Sequence, residues 1–195
     1  MSKTIDKIEM EIKESIEAKQ RVIEDKKALE ILETMASQIT ESLKNGGKLL
    51  ICGNGGSASD ALHIVGEIVG RFQKERKAYS AIALNADIAT MTAIANDYGY
   101  DQVFARQVEG LMNEKDILLG ISTIGNSENV IKAVEKAHEI GGKAFLFSGK
   151  TGGKLKTICD LSIIAPSDVT AHIQEVHVCL YHILSGLIED AMIEE

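Results

Sequence analysis

Histidine is the residue type that first points to chemistry in this chain, because four of its five histidines fall on two segments with helical spacing. His63 and Glu67 are four residues apart, and a helix would place both on one face. A histidine and a glutamate at that spacing can ligate a metal ion, act as an acid–base pair or only hydrogen-bond along the helix. Spacing alone leaves these three interpretations open.

The other histidines of this set lie near the end of the chain, at His172, His177 and His182. Glu175 and His182 are seven residues apart and share almost the same helix face, whereas Gln174 is turned from His182 by about 80° on an ideal helix. Spacing by itself therefore favours Glu175 over Gln174 as the partner of His182. A histidine in an apolar helix is more often a core residue, but the concentration of histidines on two segments favours a functional site.

A glycine-rich turn precedes the first of these segments. The apolar run from Leu49 to Cys52 predicts a buried strand, which ends at Gly53-Asn-Gly-Gly56, and Ser57 and Asp60 are the predicted caps of the following helix. A strand, a glycine turn and a helix start together form a seat for an anion. The turn matches neither a P-loop nor the dinucleotide motif G-x-G-x-x-G. The alternative is a tight turn that only packs.

A second loop, Ser122-Thr-Ile-Gly-Asn-Ser127, repeats this logic with a strand before it and a helix beginning near Ser127. Hydroxyls and free amides at a helix start suit the oxygens of a phosphate. Serine and threonine are also common helix caps, so capping alone is the competing interpretation. Two such loops after neighbouring strands favour binding of a phosphate or a sugar phosphate.

The elements that must position these loops alternate regularly after residue 45. Residues 1–45 are predicted as a helical segment, broken once, that serves packing or oligomerisation and ends at Asn45-Gly-Gly47. The predicted strands are Lys48–Cys52, Ser80–Leu84, Ile117–Ser122, Ala144–Ser148 and Leu161–Ala165. The predicted helices between and after them are Ser57–Phe72, Ile88–Ala95, Asp101–Met112, Ser127–Ile140, Gly153–Ile158 and Thr170–Ile193. Five short apolar runs with helical crossovers predict an α/β fold with a parallel sheet covered on both faces.

In such a sheet, ligands bind beyond the carboxyl ends of the strands. This rule predicts one crevice around the glycine turn, the Asn96-Asp97 region, the Ser122–Ser127 loop and the turn after Pro166. Asp97 itself is ambiguous, because it can cap the next helical segment or face the crevice.

Bulk composition excludes several classes of protein. A chain of 195 residues fits one domain, and a formal charge of −8 argues against a nucleic acid or an anionic membrane as partner. Cys52, Cys159 and Cys179 show no C-x-x-C spacing, which predicts free thiols in a reducing cytoplasm. The first residues contain no apolar signal core, and no uninterrupted apolar run reaches ~18 residues, so we expect no membrane span.

Taken together, the motifs resemble one family closely. The stretches Cys52-Gly-Asn-Gly-Gly-Ser-Ala-Ser-Asp-Ala, His63-x3-Glu67, Asn96-Asp-Tyr-Gly-Tyr100-x3-Phe-x-Arg-Gln-Val-Glu109, Gly120-Ile-Ser-Thr, Gly152-Gly-Lys154 and Ile173-Gln-Glu-x-His-x4-His182 are similar to those of the sedoheptulose-7-phosphate isomerases, or phosphoheptose isomerases. The motifs occur in order from about Gly46 to Leu187 and so cover most of the chain.

The resemblance implies a fold, an assembly and a reaction. The fold would be the three-layer sandwich of the sugar isomerase (SIS) family, with a five-stranded parallel sheet in an SIS domain at residues 46–195. The assembly would be a homotetramer. The reaction would be the aldose–ketose isomerisation of sedoheptulose 7-phosphate to D-glycero-D-manno-heptose 7-phosphate through an enediol. That is the first step towards nucleotide-activated heptose for bacterial surface polysaccharide, such as lipopolysaccharide or capsule.

The resemblance also implies the site residues. One zinc ion per subunit would be held by His63, Glu67, Gln174 and His182. Glu67 and His182 would be the catalytic pair. The substrate contacts would fall on Asn54, Gly55, Gly56, Glu67, Asn96, Asp97, Ser122, Thr123, Ile124, Ser127 and Gln174.

Two departures from the family pattern bear on substrate binding. Ile124 stands where the family usually has a serine, which removes one hydroxyl facing the phosphate. In the last turn, Val169 and His172 replace an aspartate and an arginine, which could change how the final helix docks. Two alternatives follow: an isomerase of another phosphorylated sugar, and a non-catalytic SIS module that binds a sugar phosphate or a protein. The complete His/Glu/His set argues against the second.

Overall fold

The computed structural model describes residues 2–193, which form eight α helices and one five-stranded sheet. The helices are α1 (Lys3–Glu24), α2 (Lys26–Lys44), α3 (Gly56–Val69), α4 (Ile88–Tyr98), α5 (Ala105–Leu111), α6 (Glu128–Ile140), α7 (Leu155–Ile158) and α8 (Thr170–Ile193). The strands are β1 (Leu49–Gly53), β2 (Ala81–Ala83), β3 (Ile117–Ser122), β4 (Lys143–Gly149) and β5 (Leu161–Ala165).

All five strands are parallel, in the order β2-β1-β3-β4-β5. Leu49 of β1 pairs with Ala81 on one side and with Ile117 on the other. The chain leaves β1 towards β2 at one edge and continues from β3 towards the opposite edge. A crevice therefore opens beyond the carboxyl ends of β1 and β3, where the connections diverge. The glycine turn and the loop after Ser122 both begin there.

Two hydrophobic cores cover the two faces of the sheet, as the apolar runs predicted. Alternate residues of β1 serve different cores: Leu49 and Ile51 pack with α2, α3 and α8, whereas Leu50 and Cys52 pack with α4, α5 and α6. Because both faces are covered, every residue of β1 and β3 is buried. This rigid centre holds the loops that follow the two strands.

Most predicted element boundaries lie within three residues of the observed ones, with errors at the starts of α3 and α5 and at the end of α3, which stops at Val69 and leaves Phe72 outside the helix. The bounds of β3, β5 and α8 are those expected. Ser57 and Asp60 are not helix caps, because α3 already begins at Gly56, and Gly55 takes the cap position with a φ of 59° that suits glycine. The predicted helix Asp101–Met112 is also wrong at its start. A 3-10 turn occupies 100–102, Val103 and Phe104 are fully buried, and α5 begins only at Ala105.

The N-terminal segment forms two helices that differ in how they are covered. Helix α2 ends at Lys44, before Asn45 and Gly46 as predicted, and packs a buried stripe against α8 and β5. Helix α1 contributes only Ala18 and Val22 to the described core. About half of each side chain in its remaining apolar stripe is exposed: Ile5, Ile8, Ile12 and Ile16. The division of the chain near residue 45 stays a prediction.

Helix α8 is the one helix in the described part of the chain that is long and apolar enough to cross a membrane by length and composition. Its residues Ile173, Val176, Leu180 and Leu184 are buried in the core shared with α2 and α3. The core helix of a globular fold passes the same test, and the packing identifies α8 as such a helix. It is also the helix that brings the late histidines to the sheet.

Candidate functional site

Helices α3 and α8 bring three of the predicted site residues together. Nε2 of His63 lies 3.0 Å from Oε1 of Glu67, one turn further along α3. Nε2 of His182, on α8, lies 3.3 Å from Nε2 of His63 and 3.9 Å from the same carboxylate oxygen. We call these three residues the His/Glu/His cluster. The side chain of Glu67 is one-fifth exposed and that of His182 one-third, so the cluster opens to solvent.

Aromatic side chains hold the two imidazoles in place. The Tyr181 hydroxyl lies 2.8 Å from Nδ1 of His63, on the ring edge that faces away from Glu67. The ring of Phe72 stacks on that of His182, with centroids 5.8 Å apart and planes 18° from parallel. Tyr181 meets His182 edge-on at 4.8 Å. Each imidazole of the cluster is therefore oriented by a second ring.

A buried ion pair fixes the segment that carries Phe72. Nε of Arg76 donates to Glu189 of α8 at 3.1 Å, and both side chains are almost fully buried. The backbone amides of Phe72, Gln73 and Lys74 also donate to the Glu189 carboxylate. Burial alone would raise the pKa of Glu189, but these hydrogen bonds outweigh it and hold the pKa below its usual range.

The same arginine satisfies the end of helix α3. Arg76 donates through Nη2 to the carbonyl of Glu67 at 2.7 Å and through Nη1 to the carbonyls of Ile68 and Gly70. The last carbonyls of a helix have no partner within it, so this guanidinium completes the turn that presents Glu67. Glu189 and Arg76 thus tie the ends of the two helices that form the cluster.

A cavity of about 420 Å³ lies beyond the carboxyl ends of β1 and β3, where the topology predicts a ligand site. Both predicted loops line it, together with the first turns of α8. Its lining residues are Asn54, Gly56, Ser57, Ile121, Ser122, Thr123, Ile124, Asn126, Ser127, Thr170 and Gln174. Ile124 is half exposed on its wall, where the family pattern has a serine.

The second loop is tightly folded around its serines. The hydroxyls of Ser122 and Ser127 lie 2.9 Å apart, and Ser122 Oγ also accepts from the amide of Gly125. Ser127 is the N-cap residue of α6, yet its side chain makes no capping hydrogen bond. Its hydroxyl is therefore used within the loop, on the cavity wall, and not on the helix amides.

Gly125 is the position in this loop where glycine is required. It has a φ of 77°, and a Cβ there would lie 1.9 Å from the carbonyl oxygen of Gly152. The loop after β3 thus closes directly on the glycine pair of the β4–α7 connection, which belongs to the family motif Gly152-Gly-Lys154.

The amide side chain of Asn54 is engaged in a network below the glycine turn. Asn54 and Asn129 exchange two hydrogen bonds of 2.9 Å, and the Tyr100 hydroxyl donates to Asn54 at 3.0 Å. The network leaves the backbone amides of the glycine turn as the groups that can meet an anion, with Gly55 and Gly56 both exposed. The side chain of Asn54 thus helps to fix the conformation of the glycine turn.

Asn96 and Asp97 do not join the residues that line this cavity. Both are exposed at the end of α4, where the Asn96 amide donates to the Asp97 carboxylate at 2.8 Å. Asp97 lines a different cavity, between α4 and α5. Of the predicted Asn96-Asp97-Tyr-Gly-Tyr100 stretch, it is Tyr100 that reaches the glycine turn.

Helix α8 directs two neighbouring polar residues to different surfaces. Gln174 lines the cavity and contacts the glycine turn, since a Cβ on Gly56 would lie 2.2 Å from its Nε2. Glu175 instead meets Nδ1 of His172 at 3.2 Å on the side that faces α1, where Nε2 of His172 lies 3.3 Å from Glu14. Helical spacing favoured Glu175 as the partner of His182, and the fold turns it the other way.

The cluster has the donors and the spacing of a metal site. Two imidazole nitrogens and one carboxylate oxygen lie within 4.8 Å of one another. Ligand atoms bound about 2.0–2.1 Å from a tetrahedral zinc ion are roughly 3.4 Å apart, which is close to the three separations seen here. Three protein ligands with an open side are typical of catalytic zinc sites. The residues present therefore fit a zinc ion.

Sequence reasoning missed the supporting residues of the site. Phe72 was expected inside a helix, and Tyr181, Arg76 and Glu189 were given no role. Tyr181 lies directly before His182, so adjacency to a histidine of interest was its one signal. Arg76 and Glu189 are 113 residues apart in sequence, and no local pattern pairs them.

The chain is similar to known proteins over most of its length. The model of the SIS domain family matches residues 12–145. Phosphoheptose isomerase of Helicobacter pylori (strain P12) is 55% identical over 168 residues, covering 84% of this chain and 88% of that protein. Phosphoheptose isomerase of Clostridium acetobutylicum is 44% identical over 188 residues, covering 96% of each chain.

Two solved structures share the fold over nearly the whole chain. The phosphoheptose isomerase of Neisseria gonorrhoeae superimposes with a TM-score of 0.90 at 39% identity, covering 96% of this chain and 99% of that one. That of Francisella tularensis gives 0.91 at 41% identity, covering 97% and 100%. The predicted SIS-type three-layer fold is thereby confirmed. By sequence identity and by superposition over nearly the whole chain, the chain belongs to the phosphoheptose isomerases of the SIS family.

Proposed function

We propose that this protein is an isomerase that converts sedoheptulose 7-phosphate to D-glycero-D-manno-heptose 7-phosphate, the first step towards activated heptose for a bacterial surface polysaccharide. The observation that carries the proposal is the His/Glu/His cluster, formed within one subunit by helices that also border the cavity between the two loops. Relatives named phosphoheptose isomerase, at 44–57% identity, support the choice of substrate.

The binding of the phosphate falls to the two loops. The exposed backbone amides of the glycine turn and the hydroxyls of Ser122, Thr123 and Ser127 are suitable partners for phosphate oxygens. The proposed substrate contacts remain those named from the family, at Asn54, Gly55, Gly56, Glu67, Asn96, Asp97, Ser122, Thr123, Ile124, Ser127 and Gln174. Of these residues, Asp97 borders the cavity between α4 and α5.

The isomerisation needs a base, an acid and stabilisation of an oxyanion. Glu67 would take the proton from C1 of the ketose and return it to C2, which passes through an enediol. His182 would move protons at the two oxygens. Glu67 and His182 are also proposed zinc ligands, so each would have to be loosely coordinated in the state in which it transfers a proton.

A zinc ion, one per subunit, is the cofactor that these residues would hold. His63, Glu67 and His182 supply three ligand atoms, and Gln174 is the proposed fourth ligand. When bound, zinc would polarise the carbonyl and hydroxyl oxygens of the sugar.

The assembly we propose is a homotetramer. Residues 1–45 would serve this assembly, because the stripe of Ile5, Ile8, Ile12 and Ile16 is about half exposed on α1. An apolar stripe of this kind is typical of a contact surface. We place the protein in the cytoplasm, which suits its three free cysteines.

The reaction can be tested directly. Purified protein with zinc is mixed with sedoheptulose 7-phosphate, and formation of the aldoheptose phosphate is followed by the proton NMR signal of its anomeric hydrogen. In deuterium oxide, solvent deuterium should appear at C2 of the product if a base exchanges its proton. Turnover of another ketose phosphate, with none of sedoheptulose 7-phosphate, would assign a different substrate. Absence of turnover together with tight sugar-phosphate binding would indicate a binding module.

A further inference from the structure

We propose that Tyr181 is a positioning residue, whose hydroxyl orients His63 and fixes the ring nitrogen at which His63 carries its proton. This inference deepens the proposed function, because it concerns the same cluster. Tyr181 would not touch the sugar. It would act through the imidazole that it holds.

Geometry supports this role at three points. The Tyr181 hydroxyl lies 2.8 Å from Nδ1 of His63, which is a good hydrogen-bond distance. The tyrosine is almost fully buried, whereas nearly half of the His63 side chain is exposed. The tyrosine ring also meets His63 edge-on, with centroids 5.2 Å apart and planes 67° apart. The ring of a half-exposed histidine is thus tied to a buried side chain of the core.

The contact with Tyr181 determines which ring nitrogen of His63 is free to bind a cation. Nε2 of His63 faces Glu67 and His182, so Nε2 is the atom that can bind a cation. A neutral imidazole has one protonated nitrogen and one lone pair, so a lone pair at Nε2 requires the proton at Nδ1. That Nδ1–H then donates to the Tyr181 oxygen.

Partners of this kind affect metal affinity in a predictable way. A histidine ligand whose other nitrogen has lost its hydrogen-bond partner typically binds its metal 10- to 100-fold less tightly. Neither the formation nor the packing of α8 requires a tyrosine at position 181, because phenylalanine would fill the same space. The hydroxyl alone carries the proposed role.

The test removes that one oxygen. We expect Tyr181→Phe to raise the Kd for zinc about 10- to 100-fold in competition with a chromophoric chelator, with only a small change in the melting temperature of the zinc-free protein. Tyr79→Phe is the matched control, because Tyr79 is also buried but packs against Arg76, outside the cluster. Its zinc affinity should equal that of the parent.

A spectroscopic measurement makes the test independent of turnover. With ¹⁵N-labelled histidine, the zinc-loaded parent should show a proton on Nδ1 of His63 that exchanges slowly, and Tyr181→Phe should lose this slow exchange. Equal zinc affinity of Tyr181→Phe and parent, or a parent whose His63 is protonated at Nε2, would overturn the role of Tyr181. A parent that binds no zinc would overturn the metal site itself, while a parent that binds zinc without turning over sedoheptulose 7-phosphate would overturn only the proposed reaction.

Discussion

Nε2 of His63 and Nε2 of His182 lie 3.3 Å apart although 119 residues separate the two histidines. The chain crosses the sheet four times between them, and α3 and α8 then pack on the same face. Both helices are fixed by buried side chains and by the Arg76–Glu189 ion pair, so the distance is set by the core. The site is a product of the whole fold and not of either motif alone.

Replacing the proposed proton carrier should remove turnover and leave the fold intact. We expect Glu67→Gln to lower kcat by ~10²-fold or more, which is a usual loss for an acid–base group. The measurement is steady-state isomerisation of sedoheptulose 7-phosphate, beside thermal unfolding. Glu109→Gln is the control, because Glu109 is an exposed glutamate on α5 outside the cluster. Near-normal kcat for Glu67→Gln would rule out proton transfer by this residue.

Restoring the missing hydroxyl should strengthen phosphate binding. Ile124 lines the cavity and is half exposed, so serine can replace it without leaving a void. One added hydrogen bond to a charged oxygen, partly screened by solvent, should lower KM about 3- to 10-fold with little change in kcat. The same exchange at Ile88, an exposed isoleucine of α4 outside the cavity, should leave KM unchanged. A KM unaffected by Ile124→Ser would mean that this side chain does not face the phosphate.

A methyl group on the glycine turn should displace Gln174. In Gly56→Ala the new Cβ would start 2.2 Å from Nε2 of Gln174, at the flexible end of that side chain. The fold can adjust by moving the amide, so we expect normal stability and a loss of about tenfold or more in kcat/KM, since small displacements in an active site are costly.

The control for the Gly56→Ala substitution lies on the same helix, α3. A Cβ on Gly66 meets no atom within 4 Å, so Gly66→Ala should keep full activity and gain about 0.5–1 kcal/mol in stability. If both variants retain kcat/KM, Gln174 has no part in catalysis or binding.

Acid should lower the free energy of unfolding through the protonation of His177. This residue is buried, and burial lowers its pKa from 6.5 to about 4, although a hydrogen bond to the carbonyl of Ser148 opposes the shift. The unfolded chain binds this proton near pH 6.5 and the folded chain only near pH 4. Between these values the unfolded state holds more protons, so stability falls as the pH falls. The full effect is about 3 kcal/mol, at about 1.4 kcal/mol for each unit of pKa.

The measurement is the free energy of urea unfolding between pH 7 and pH 4. His177→Gln should be less stable at pH 7, because it disturbs a packed position, but its stability should decline less steeply with acid. Parallel pH profiles for the variant and the parent would show that other groups carry the acid sensitivity.

Breaking the buried ion pair should destabilise the protein strongly. Glu189→Ala would leave Arg76 and three backbone amides without their acceptor, and loss of one partner of a buried pair costs about 3–5 kcal/mol. Asp190→Ala, at the next position, removes an exposed carboxylate 2.7 Å from Lys74 and should cost below about 1 kcal/mol. Equal urea midpoints for the two variants would contradict this assignment.

Local patterns in the sequence were sufficient for the sheet and for the position of the crevice. The apolar runs of β3 and β5 and the long periodic helix α8 were predicted at their observed bounds, because each has a clear apolar pattern with clear ends. The start of α3 was missed because Gly55, with its positive φ, begins the helix before the serine that spacing suggested.

Side-chain direction across the fold was harder to predict. Helical spacing preferred Glu175 to Gln174, yet Gln174 lines the cavity and Glu175 lies on the side of α8 that faces α1. Tyr181 contacts His63, which is 118 positions away in the sequence. Arg76 contacts the carbonyl of Glu67 near the end of α3. Contacts of that kind depend on how helices dock, which residue periodicity does not encode.

The link from Glu189 through Arg76 to the carbonyl of Glu67 means that the turn carrying Glu67 is tied to the end of the last helix as well as to the core. Its order depends on the last helix being docked. On heating, activity and native structure should disappear in the same transition, with no intermediate that is inactive but still folded. A proteolytic cut that releases the end of α8 before residue 189 would abolish turnover, even though every proposed metal ligand remains on the larger fragment.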